Sequence, residues 1–145
     1  AAYNGLSNAI KEKLEGATAV HDFANFRNRL IKEGKSDEEI KAFNEQYPMP
    51  EHPVIRTHPD TKRKVIYVNA AFTQYIKDWD QEESRDMLNF LYSQASIPEY
   101  QCRFAWQDNS IAFWDNRACQ HYANSDYWPH VRKVERVTII GDRPY

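Results

Sequence analysis

One histidine and two arginines near the end of the chain have residue types that can hold a metal and an anion. His121 follows a Trp114-Asp115-Asn116-Arg117 turn, and fifteen residues on Arg136 adjoins a β-branched run, Val137-Thr138-Ile139-Ile140. A neutral imidazole is a good ligand for iron, zinc, copper or nickel. An arginine on a strand is a fixed fork for a carboxylate. Arg132 and Arg136 stand four apart, so on a strand they share one face. Val134, Thr138 and Ile140 would turn inward with Arg136, and a buried arginine needs an anion. From the residues alone, His121 reads first as a packed, hydrogen-bonded histidine of an aromatic strand, and only second as a metal ligand.

The rest of the chain must position these groups. Leu6, Ile10 and Leu14 recur on one face of a helix from Leu6 to Glu15, with Ser7 as N-cap and Gly16 as terminator. Ala17 to Phe23 reads as a strand and Phe26 to Glu33 as a short helix closed at Gly34. Ser36 with Glu39 is a capping box that opens a helix through about Gln46. The proline-rich stretch Tyr47 to Pro53 reads as an extended surface connection. Val54–Thr57 and Lys64–Val68 form a hairpin around His58-Pro59-Asp60-Thr61-Lys62. Ala70 to Asp78 is ambiguous. Gln81 to Ser93 is a helix with the stripe Met87, Leu88, Leu91 and Tyr92, and acidic residues load its first turns. After Pro98 come four strand-like runs, Tyr100–Trp106, Ser110–Trp114, Gln120–Ala123 and Lys133–Gly141. Helices early and antiparallel strands late give an α+β layout.

Composition narrows the classes. The chain has 145 residues, 41% hydrophobic and 28% charged, which is globular rather than disordered. A net charge of −2 argues against a nucleic-acid-binding face, so Tyr122, Tyr127 and Trp128 are expected in packing rather than in base stacking. No apolar run nears the ~20 residues of a membrane helix. Cys102 and Cys119 have no metal or redox spacing and read as free thiols in a reducing cytoplasm.

Two further constellations carry metal-ligand letters. His21 and Asp22 are adjacent, so on a strand they face opposite sides and cannot share a metal. His58-Pro59-Asp60 matches His-x-Asp by letter, but its place in a hairpin turn makes it turn chemistry.

The string WDNRACQHYANSDYWPHVRKVERVTIIGDRP resembles the C-terminal signature of the TauD/TfdA dioxygenases. The likeness reaches upstream through HPVIRTHPDTKRKVIYVNAAF, HDFANF and the opening AAYNGLS. It covers nearly all of this chain but only about the C-terminal half of the family's domain. The resemblance implies one partial domain over residues 1–145, the later part of a double-stranded β-helix (jelly roll) with flanking helices. The family's His-x-Asp iron motif is expected before residue 1. The implied activity is Fe(II)- and 2-oxoglutarate-dependent hydroxylation of a small organic acid, with succinate and CO2 released. Taurine, another sulfonate, an alkyl sulfate and an aryloxy acid stay open as substrates, with the sulfur compounds favoured.

By the resemblance, His121 is the distal histidine of the iron triad and Arg136 clamps the distal carboxylate of 2-oxoglutarate, with Arg132 assisting. Asn25, Phe26 and Phe72 are the substrate candidates, and no catalytic side chain beyond the metal and cosubstrate ligands is implied. The expected partners are the organic acid and O2, with no nucleic acid and no membrane; homo-oligomerisation stays open. A different class of reading is a catalytically inactive jelly-roll module that binds a small carboxylate or a partner chain. A third is a different cupin-type metalloenzyme, such as a hydrolase, which has no use for Arg136 as a 2-oxoglutarate clamp.

Overall fold

The computed structural model describes residues 1–145, and in it the first hundred residues carry all the regular structure. A short α1 (Ala2–Gly5) leads into α2 (Asn8–Lys13), whose N-cap Ser7 accepts from the Ile10 N–H. Leu6 and Leu14 are buried, and Gly16, at φ +71°, takes the left-handed turn that ends the element. Then follow β1 (Thr18–His21), α3 (Ala24–Lys32) and α4 (Asp37–Gln46). Gly34 closes α3 at φ +75°, and Ser36 and Glu39 form the expected capping box of α4.

Five short strands make two sheets. Alongside β1 stand β2 (Glu51–Pro53) and β5 (Thr73–Ile76), antiparallel in the order β2-β1-β5. The second sheet is the hairpin β3 (Ile55–Thr57) and β4 (Lys64–Ile66), in the register Ile55 to Ile66. The proline-rich connection therefore ends in a strand. An edge strand tolerates proline because one side of its ladder has no partner, and β2 pairs with β1 alone. The ambiguous stretch resolves into an Asn69 turn, whose Oδ1 accepts from the Ala71 and Phe72 N–H groups, followed by β5.

The helix α5 (Gln81–Gln94) starts at Asp80, whose carboxylate accepts from the Glu82 and Glu83 N–H groups. Its face of Met87, Leu88 and Leu91 packs into the core with Leu14, Ala19, Val54 and Ile76. Ser84 fastens it to β5, since its hydroxyl accepts from the Ile76 N–H at 2.7 Å. No helix is long and apolar enough to cross a membrane.

The four late strands do not form. A 3-10 turn, Pro98–Tyr100, is the last regular element, and residues 101–145 hold turns but no strand. Strand-like composition does not pair strands by itself. Neither sheet takes these runs up as neighbours, so their backbone groups are left to solvent. The inward face expected around Arg136 is accordingly open: Val134, Ile140 and Arg136 itself are exposed, Ile140 at 97%. Tyr122 and Trp128, expected in packing, are exposed as well.

Candidate functional site

The end of β1 gathers the three substrate candidates. Asn25 lies in the first turn of α3 and donates from Nδ2 to the Ala71 carbonyl at 3.3 Å. One residue on, Phe26 faces Phe72, which the Asn69 turn presents. Phe23 touches both, with ring centroids 5.6 Å from Phe26 and 5.0 Å from Phe72. Tyr47 borders Phe23 at 5.0 Å, and Phe26 remains 49% exposed. The result is an aromatic face half open to solvent, suited to the apolar part of a small ligand.

A part-buried ion pair adjoins this face in the chain. Asp22 is buried, and Arg27 grips both its carboxylate oxygens, with Nη1 at 2.9 Å from Oδ1. The same guanidinium reaches the Asn44 Oδ1 at 3.2 Å and so ties α4 to α3. Its hydrogen bond to Asp22 raises the Arg27 pKa.

His21, beside Asp22, is buried on β1. It lies 3.5 Å from the Thr73 Oγ1, with its ring centroid 5.1 Å from that of His52. Burial, and next His52, pushes its pKa down to about 4. His52 is lowered too, by burial first and then by Arg143 and Arg56. Its Nδ1 and the Arg56 Nε are buried without a hydrogen-bond partner.

The signature segment is arranged differently. His121 is exposed, 5.1 Å ring to ring from Trp114. Arg132 is exposed and stacks over Tyr127 at 6.0 Å. These two and Arg136 share no hydrogen bond or ring contact. No group of three or more His, Cys, Asp or Glu side chains is arranged to hold a metal. His121 is an exposed imidazole of a kind that can ligate iron, and the side chains of this chain do not by themselves fit a whole iron site. Arg132 and Arg136 are exposed guanidinium groups, Arg132 over the Tyr127 ring, and are of a residue type that pairs with carboxylates.

His58-Pro59-Asp60 is turn chemistry, as expected. The His58 Nδ1 accepts from the Asp60 and Thr61 N–H groups at 3.2 and 3.1 Å. That leaves the ring proton on Nε2, which donates to the Asp115 Oδ2 at 2.8 Å. Asp115 also receives Arg117, which first and most strongly holds its carboxyl well below the usual range.

The sequence reading passed over Arg56 and Asp115. Arg56 is 1% exposed and binds the Asp142 Oδ2 at 2.7 Å. Its signal was present: Val54, Arg56 and His58 alternate onto one face of a hydrophobic strand, which puts a charge among core residues.

Comparison with known proteins decides the family. A family model described as "Taurine catabolism dioxygenase TauD, TfdA family" matches residues 1–138. The chain belongs to the TauD/TfdA family. It is 36% identical to the alpha-ketoglutarate-dependent dioxygenase cnsM of Penicillium expansum, over 99% of this chain and 40% of that protein. It is 32% identical to the alpha-ketoglutarate-dependent sulfate ester dioxygenase of Pseudomonas putida, over 99% of this chain and 48% of that protein. Among TauD/TfdA structures, a taurine dioxygenase from Burkholderia xenovorans superposes with a TM-score of 0.62 at 32% identity. That match covers 81% of this chain and 35% of the other. The chain spans less than half the length of these relatives.

Proposed function

We propose that residues 1–145 are the C-terminal part of one TauD/TfdA-type dioxygenase domain dependent on Fe(II) and 2-oxoglutarate. The structural observation that carries this is the meeting of Asn25, Phe26 and Phe72 on one half-open aromatic face. They come from two stretches of chain and were singled out by the family pattern alone. The dioxygenase names of the relatives support the reaction class.

In this reading Arg136 pairs with the distal carboxylate of 2-oxoglutarate, and Arg132 assists. His121 is one metal ligand, and the other two come from sequence outside this chain. Bound iron supplies the oxygen chemistry. The balance is one 2-oxoglutarate, one O2 and one C–H bond of the substrate giving succinate, CO2 and a C–OH group. The chain's own part is to hold the carboxylate at the arginines and the substrate on the aromatic face. The substrate is a small sulfonate or sulfate ester, in line with the sulfate ester and taurine dioxygenases among the similar proteins. The runs within residues 101–145 become jelly-roll strands once neighbours pair with them.

The test compares the 145-residue chain with a polypeptide extended upstream to include a His-x-Asp pair. Fe(II) affinity, substrate-stimulated succinate release and solubility are expected to be poor in the first and restored together in the second. A soluble 145-residue chain that releases succinate on addition of substrate refutes the partial-domain reading. An extended polypeptide that binds 2-oxoglutarate and never turns it over favours the inactive binding module.

A further inference from the structure

The segment that carries His121, Arg132 and Arg136 is held at both ends by one hairpin. Ahead of it, His58 and Asp60 in the β3–β4 turn grip the turn before His121. The His58 Nε2 donates to Asp115 at 2.8 Å, and the Arg117 Nη2 bridges Asp115 at 2.8 Å and Asp60 at 2.9 Å. Asp115 then shapes that turn. Its Oδ1 accepts from the Arg117 N–H at 2.8 Å, and its carbonyl accepts from the Ala118 and Cys119 N–H groups at 3.0 and 2.9 Å. Gln120, next to His121, donates from Nε2 to the Val68 carbonyl just past β4.

Behind the segment, Arg56 on β3 binds Asp142 at 2.7 Å, and the Thr57 N–H donates to the Tyr145 carbonyl at 2.8 Å. The hairpin's own side chains are well placed to act as anchors. Arg56 and His58 are both buried, and two backbone N–H donors hold the His58 ring by Nδ1. An anchor fixed in a core transmits position, where an exposed one would only tether. The residues between Gln120 and Asp142 are thus slung between two fixed points, which lowers the entropy lost when they are ordered.

We infer that Arg56 and His58 are positioning residues: His58, acting through Asp115, sets the approach to His121, and Arg56, acting through Asp142, sets the far side of Arg136. The inference rests on the dioxygenase reading for the purpose of the segment, but its geometry belongs to this chain alone.

The experiment uses the complete protein carrying this chain, with amide hydrogen exchange read residue by residue. His58→Leu speeds exchange at Ala118 and Cys119 about tenfold or more and leaves Thr57 unchanged. Arg56→Met does the reverse. His58→Gln, whose amide N–H can still reach Asp115, restores slow exchange at Ala118 and Cys119. Equilibrium binding of 2-oxoglutarate in the presence of Co(II) is measured beside this. It weakens about tenfold in His58→Leu and in Arg56→Met and recovers in His58→Gln. Unchanged exchange at Ala118 and Cys119 in His58→Leu overturns the inference, as does equal acceleration at both ends in each variant. So does the loss of exchange protection in His58→Gln to the same degree as in His58→Leu. If the variants show the two-ended exchange pattern but the wild-type protein binds no 2-oxoglutarate, the anchors stand and the dioxygenase reading alone is overturned.

Discussion

Phe26 and Phe72 lie parallel, their ring centroids 6.4 Å apart and their planes only 4° from each other. The spacing is wider than a tight stack, and Phe23 fills in beside both rings. The contact between the two is loose, and Phe26 stays half exposed. Phe72→Ala is expected to destabilise the fold by about 1 kcal/mol. In the complete enzyme it should raise the KM for the organic acid severalfold and leave the KM for 2-oxoglutarate unchanged. Steady-state kinetics with each substrate varied in turn check this, and equal changes in both constants would remove Phe72 from the substrate face.

The Asp22–Arg27 pair joins residues that flank Phe23 and Phe26 in the chain. Removing the arginine leaves a buried carboxylate without its partner, and breaking such a pair costs about 3–5 kcal/mol. The guanidinium is a quarter exposed, so Arg27→Met is expected near the lower end, about 3 kcal/mol. The double variant Asp22→Asn with Arg27→Met should recover part of the loss, since no charge is then stranded. Urea unfolding of the two variants beside the parent chain measures the difference.

Stability should also fall on the acid side of neutrality. Buried His21 has a folded pKa of about 4 against 6.5 when unfolded. Between these values the unfolded chain binds the extra proton, so stability rises with pH through this window. The contribution is fully present above about pH 6.5 and is lost as pH falls toward 4, on the order of 3 kcal/mol in all. His52, lowered by burial and by the positive charge of Arg143 and Arg56, acts in the same direction. His21→Gln should flatten the dependence of the urea midpoint on pH between 4 and 6.5, and an unchanged slope would assign the acid sensitivity elsewhere.

How far the sequence could be read depended on the range of the interactions. The Ser36–Glu39 box, the Gly16 and Gly34 terminators and the Met87–Leu88–Leu91 stripe act within a few residues, and each element they announce is present. The hairpin around His58 obeys local turn chemistry in the same way. The runs after Tyr100 have the composition of strands, but a strand is completed by a neighbour, and composition names none. The pairs His58–Asp115 and Arg56–Asp142 span 57 and 86 residues, and no periodicity in one stretch announces a partner at that distance. The gathering of Asn25, Phe26 and Phe72 was legible only through the family pattern.

The most direct prediction concerns the two ends of the proposed cosubstrate site. Arg136 is exposed and free to take an anion. In the complete enzyme, Arg136→Ala should raise the 2-oxoglutarate requirement ten- to a hundredfold, the equivalent of about 1.5–3 kcal/mol for a charge-assisted pair to a carboxylate. The fold should not suffer, because a side chain without buried partners contributes little to stability. Arg132→Ala should act in the same sense and more weakly, as its guanidinium is also engaged with Tyr127. His121→Ala should abolish iron-dependent turnover and weaken Fe(II) binding, with the stability of the metal-free protein unchanged. The two substitutions therefore separate by ligand: Arg136 moves the 2-oxoglutarate titration and His121 the metal titration. Unaltered 2-oxoglutarate kinetics in a folded Arg136→Ala protein would sink the clamp, and full activity of His121→Ala at saturating Fe(II) would sink the metal assignment.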